Sequence, residues 1–102
     1  MKIINLPFND WSKQRIAEGV KTATSRNKRY GSIGDRFIIG DKIFEFDTVI
    51  MVPLWFVTKY LLATEGAFSK NEFIEIWNNI HPKKNYTDDH LVWYHHFREI
   101  DL

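Results

Sequence analysis

The stretch Glu18-Gly19-Val20-Lys21-Thr22-Ala23-Thr24-Ser25-Arg26 concentrates the groups of this chain best suited to chemistry. It sets an ammonium at 21, threonine hydroxyls at 22 and 24, and a guanidinium at 26. A helix is expected to end at Gly19 and a strand to begin directly after it, because glycine lets the backbone turn sharply. Lys21 then stands at the mouth of the strand, where side chains can project into a cleft. On an ideal strand Thr22, Thr24 and Arg26 share one face and Lys21 points the other way. Lys21 and Thr24 can meet only if the backbone is still turning at Lys21. A threonine hydroxyl is a poor nucleophile without a nearby base. A neutral lysine at pH 7 costs roughly 4.6 kcal/mol in water, and burial or a second cation such as Arg26 lowers that cost. Arg26 itself keeps its charge, so it suits a carboxylate or phosphate better than proton transfer. Its ordinary alternative is an ion pair with Asp35 or Glu45.

The densest basic segment, Arg26-Asn27-Lys28-Arg29-Tyr30, overlaps this stretch. It reads either as a solvated loop or as a small phosphate contact beside a recognition pocket, with Tyr30 able to stack on a base. Asp35, after Gly34, is expected as a turn residue that holds backbone N–H groups. His95 and His96 are adjacent on a strand and point to opposite faces, and His81 and His90 lie in or beside loops, so no metal site is expected. Phe73 and Trp77 have helical spacing and belong to the core, whereas Trp55 and Tyr60 are candidates to stack a nucleobase.

The elements that must position these groups come from a chain of 102 residues with 44% hydrophobic, 26% charged and 16% aromatic content. That is the composition of one small globular domain, residues 1–102. Cysteine is absent, which excludes disulfides, thiolate zinc sites and cysteine nucleophiles. No apolar run is long enough to span a bilayer, and MKIINLPFNDW has no signal-peptide apolar region; a soluble, cytoplasmic protein without a membrane partner is expected. The net charge of +1 argues against a bulk phosphate binder. The charge is uneven, with net +3 over residues 1–50 and net −2 over residues 51–102.

Lys2 to Leu6 is β-compatible. Asn9 and Asp10 are good N-caps for a helix over Trp11 to Glu18, with Trp11, Ile16 and Val20 on one face. Thr22 to Ser25, Arg36 to Ile39 and Lys42 to Met51 read as strands, the last two joined through Gly40-Asp41. Pro53 suits the first position of a helix over Leu54 to Ala63, closed by Gly66. Ser69-Lys-Asn-Glu72 is a capping box for a helix that stops at His81-Pro82. Leu91 to Ile100 alternates as a final strand. Five strands and three helices without regular βαβ alternation predict an α+β fold around a small, largely closed mixed sheet.

Taken in order, Gly19-x-Lys21-Thr22-x-Thr24-x-Arg26, Gly34-Asp35, and Glu65-Gly66 ahead of a helix bearing Trp77 resemble the ASCH domain family. Its β-barrel is related to the PUA domains that bind RNA. The resemblance runs from Pro7 to the last strand. It implies a PUA-like mixed β-barrel of five to six strands with two to three flanking helices. Size and layout are especially similar to small bacterial members that act as N4-acetylcytidine amidohydrolases, which use no metal or cofactor. The resemblance implies that Lys21 is the proton acceptor, Thr24 the nucleophile and Glu65 the proton donor. Arg26 would position substrate, with Thr22, Lys28 and Arg29 as further substrate contacts.

Those roles are consistent only if Glu65 is protonated or too distant to hold the proton of Lys21. In a competing mechanism Glu65 is the base that activates water and charged Lys21 holds the oxyanion. Other ASCH members are RNA binders or ribonucleases, so an RNA-binding module and an RNA-cleaving enzyme with the same cleft stand beside the amidohydrolase. The expected partner is a modified nucleoside or RNA; the sequence leaves the oligomeric state open between a monomer and a weak dimer.

Overall fold

The computed structural model describes residues 1–101. Helix α1 (Asp10–Ala17) is followed by strands β1 (Ala23–Arg26), β2 (Arg36–Ile39) and β3 (Lys42–Pro53). A short helix α2 (Leu54–Phe56) runs directly into a π-helical segment, Val57–Leu61, before helix α3 (Lys70–Ile80) and strand β4 (Leu91–Ile100). The sheet order is β1-β4-β3-β2, antiparallel throughout.

The α+β class holds, but the sheet is a four-stranded curled half-barrel, not a largely closed mixed barrel of five to six strands. The missing strand is Lys2 to Leu6. Among the described residues it gives only one parallel bridge, Ile3 to Arg36, carried by Ile4 N–H to Arg36 O (2.8 Å) and Arg36 N–H to Lys2 O (2.7 Å). Ile4 and Leu6 turn one face onto the aromatic cluster, while Ile3 stays exposed, and the pairing does not extend beyond this bridge among the described residues.

A β-bulge sets which face of the sheet each end of β3 serves. Phe46 pairs with Phe97 but Thr48 pairs with His96, leaving Asp47 as the extra residue. The alternation therefore slips by one. Phe44 and Phe46 pack with Phe37, Phe97, Leu6 and Ile16, while Val52 packs on the other side with Ala23, Leu54, Val57, Phe73, Trp77, Val92 and Tyr94. The first cluster is aromatic, with Phe37 against Phe97 edge-on at 5.0 Å and against Phe44 at 5.3 Å. The strand β4 has a buried cluster on each face, and β1 lies along its open edge between them.

The helix ends follow their caps. Asn9 Oδ1 accepts from Ser12 N–H (2.8 Å), fixing the start of α1. Val20 falls outside that helix and is exposed, contrary to its expected place on the buried face. Ser69 Oγ accepts from Glu72 N–H, and the Glu72 carboxylate accepts from Phe68 N–H, one residue before the amide that a capping box normally uses. Pro53 ends β3 and caps α2 rather than occupying its first turn. Asn9→Ala is expected to cost about 1 kcal/mol. In a domain of this size that lowers the thermal midpoint by roughly 4–8 °C, readable by circular dichroism; an unchanged midpoint would contradict the cap.

Candidate active site

The chain leaves α1 through Gly19, at φ +76°, and is still irregular at Lys21. Val20 N–H and Lys21 N–H both donate to Arg15 O, and Thr22 N–H and Ala23 N–H both donate to Thr64 O. These bonds dock the turn on α1 and on the segment that follows the π-helix. β1 begins only at Ala23, which meets the condition that the backbone at Lys21 be turning. Residue 65 arrives from the other side. Gly66, at φ +84°, reverses the chain there, and a Cβ on it would lie 2.9 Å from Lys21 Cβ. Only glycine lets the two backbones approach this closely.

Lys21 and Glu65 are both buried and in contact. Lys21 Nζ donates to the Glu65 carbonyl (3.0 Å) and to Oε1 (3.4 Å). Glu65 Oε2 accepts from Ser25 Oγ (2.7 Å). Burial pushes the Lys21 ammonium below its ordinary value; Glu65 opposes this, and Arg26 adds to it. Ser25 pairs opposite Tyr94 and Thr24 opposite His95, so neighbouring β1 residues face opposite sides of the sheet edge.

Thr24 is also buried, and its Oγ1 accepts from Arg26 Nε–H (2.9 Å). Among the described residues its own hydroxyl proton has no side-chain acceptor. Arg26 donates a second bond to Pro7 O (2.6 Å), and its guanidinium lies 4.9 Å from the Phe8 ring centre and 5.2 Å from that of Tyr30. Neither Asp35 nor Glu45 pairs with it. Glu45 is held by Arg36 and Arg98, and Asp35 accepts from Ser32 N–H and Lys2 N–H in the expected turn.

Lys21, Thr24, Ser25, Arg26, Lys28 and Glu65 all line one cavity of about 550 Å³. Its remaining walls include the aromatic rings of Phe8, Trp11, Tyr30, Phe73 and Trp77. The size and the mix of apolar walls with a few convergent polar groups suit a small-molecule site. Phe73 and Trp77 thus serve both as core and as cavity floor. Two expected contacts fall elsewhere. Thr22 is absent from the lining; its backbone bonds Thr64 and Phe97. Arg29 donates to Gly31 O and Ser32 Oγ and lies over Trp93, also away from the lining. Trp55 and Tyr60 are exposed and do not reach the cavity.

Sequence reasoning passed over Ser25, which lines the cavity, and the supporting place of His95, which lies outside the lining behind Thr24 and Tyr30. Ser25 sits inside the motif, and its neighbours' alternation already assigns it the face opposite Thr24. His95 is fully buried. Its Nε2 accepts from Tyr30 N–H (3.1 Å), which places the ring proton on Nδ1, beside Thr24 O (3.3 Å). Burial holds His95 below the ordinary histidine value. Its neighbour His96 contacts Asp47 at 2.7 Å instead.

A folded-state value below the unfolded one, about 6.5, fixes the sign of the pH effect. The stability that neutral His95 contributes is complete above pH ~6.5 and is lost as pH falls through the lower folded value. The far more exposed His90 is shifted in the same direction. Urea unfolding of wild type and His95→Gln over acid to neutral pH should show a shallower acid loss in the variant. Equal slopes would contradict this.

No family model matches the sequence, and neither does any curated protein. Solved structures do share the fold. An ASCH domain from Lactobacillus crispatus JV V101 superposes with a TM-score of 0.66 at 14% identity, covering 96% of this chain and 78% of that one. Protein EF3133 from Enterococcus faecalis V583, a DUF984 protein, gives a TM-score of 0.64 at 19% identity, covering 98% of this chain and 76% of that one.

Proposed function

We propose that this chain, which carries the fold of an ASCH domain, is a metal-independent amidohydrolase acting on a modified nucleoside, with N4-acetylcytidine as substrate. The observation that carries the reading is the buried Lys21–Glu65 contact opening, with Thr24 and Arg26, onto one cavity of nucleoside-binding size.

The contact reconciles the two roles. In a site removed from water, the charged pair and its neutral form differ little in energy compared with the same pair in solvent. Transfer of one proton from Lys21 Nζ to Glu65 leaves an amine that can accept a proton and a carboxylic acid that can donate one. Thr24 Oγ then attacks the acetyl carbonyl carbon as its proton passes to Lys21. The tetrahedral oxyanion forms near the Arg26 guanidinium, which is preorganised by Thr24 and Pro7 O. Collapse breaks the C–N bond, with the Glu65 proton going to the departing nitrogen, and water releases acetate from Thr24. Ser25 holds Glu65 Oε2 and so fixes the carboxyl group that turns towards Lys21.

The test is incubation of the purified protein with N4-acetylcytidine, with separate quantitation of cytidine and acetate. Equal release of both supports the reading; no release beyond the uncatalysed rate overturns it. An RNA-cleaving reading predicts shortened RNA from an intact strand and no acetate.

A further inference from the structure

We propose that the cavity prefers the 5′-phosphomonoester of its nucleoside over the free nucleoside, with the phosphate seated on Arg26 and Lys28 at the side walled by Tyr30. The nucleoside part of this inference rests on the function proposed above; the phosphate part rests on the charges of the cavity.

Three cations and one carboxylate line the cavity. Lys21 and Glu65 compensate each other. Arg26 and Lys28 are left over, and among the described residues neither lies within ion-pair distance of a carboxylate. Both lean on the same ring, with the Arg26 guanidinium 5.2 Å and the Lys28 ammonium 4.7 Å from the centre of Tyr30. Two like charges gathered on one aromatic repel each other unless an anion lies between them. The ring offers each some cation–π attraction but no neutralisation.

Arg26 spends Nε–H on Thr24 and one Nη2–H on Pro7 O, which leaves guanidinium donors for an incoming oxygen. Lys28 makes no side-chain hydrogen bond to a described residue and keeps its donors. A phosphomonoester carries close to two negative charges at neutral pH and so matches the two spare cations. An internal phosphodiester of RNA carries only one, and the protein's net charge of +1 offers little to grip a polyanion.

Binding of cytidine and of cytidine 5′-monophosphate, followed by calorimetry at low ionic strength, tests this without requiring turnover. The monophosphate should bind about tenfold tighter or more, with the advantage shrinking in high salt. Lys28→Gln should remove most of the advantage, whereas Lys59→Gln, remote from the cavity, should leave it intact. The proposal is overturned by equal affinity for the two ligands, by no binding of either, or by an advantage that survives Lys28→Gln. It is likewise overturned if a cytidine trinucleotide lacking a terminal phosphate binds tighter than the monophosphate. Hydrolysis of N4-acetylcytidine alongside equal affinities removes the phosphate inference and leaves the amidohydrolase standing. A monophosphate advantage without hydrolysis does the reverse.

Discussion

Lys21→Met is expected to lower turnover of N4-acetylcytidine by about 10³-fold, within the range for loss of a general acid–base group, and to destabilise the fold. The methionine is close to isosteric but leaves the Glu65 carboxylate buried with Ser25 as its only remaining side-chain partner among the described residues. Breaking a buried pair from one side costs about 3–5 kcal/mol. The double variant Lys21→Met/Glu65→Leu removes both charges, so it should recover most of that stability and still be inactive. This combination separates the two effects. Urea unfolding reads the recovery and product release reads the continued loss. If the double variant is no more stable than the single one, the pair is not the buried unit described here. If Lys21→Met turns over at the wild-type rate, Lys21 is not in the chemistry.

Gly66→Ala should damage the site without replacing any catalytic group. The position has φ +84°, and the new methyl would meet Lys21 Cβ at 2.9 Å, inside normal contact distance. Strain of this kind costs about 1–3 kcal/mol. Because the collision is with Lys21 itself, the ammonium must shift, and misplacement of about 1 Å costs on the order of 10²-fold in rate. Gly40→Ala is the matched control. Its φ is +61° and its Cβ would meet nothing within 4 Å, so it should lose some stability and keep its rate. Equal rates for both variants would show that the close approach at Gly66 does not position Lys21.

Most of the site could be read from residue order because its key turn is local. Gly19 ends a capped helix, and the short distance from there to Ala23 forces Lys21 to lie in a reversal. The alternation of β1 then separates Thr24 from Ser25. What could not be read depends on long-range register. Thr22 looks equivalent to Thr24 on an ideal strand, but β1 starts after it and its backbone is taken by Thr64. Arg29 looks equivalent to Lys28, yet Trp93, far along the chain, draws it away. The bulge at Asp47 carries no glycine or proline signal, although it decides which core Phe46 and Val52 join. The strand count failed at Lys2 to Leu6 for a related reason. β-compatible residues there find only the first residue of β2 to pair with.

Thr24 Oγ is the nucleophile that takes up the acetyl group in the proposed reaction, and kcat/KM for N4-acetylcytidine in Thr24→Ala beside Thr24→Ser measures this. Serine keeps the hydroxyl and the bond from Arg26, so the account predicts activity within about tenfold of wild type for Thr24→Ser and a loss of at least about 10³-fold for Thr24→Ala. An alanine variant that hydrolyses the substrate within about threefold of wild type would contradict it and leave water activated by Glu65 as the nucleophile.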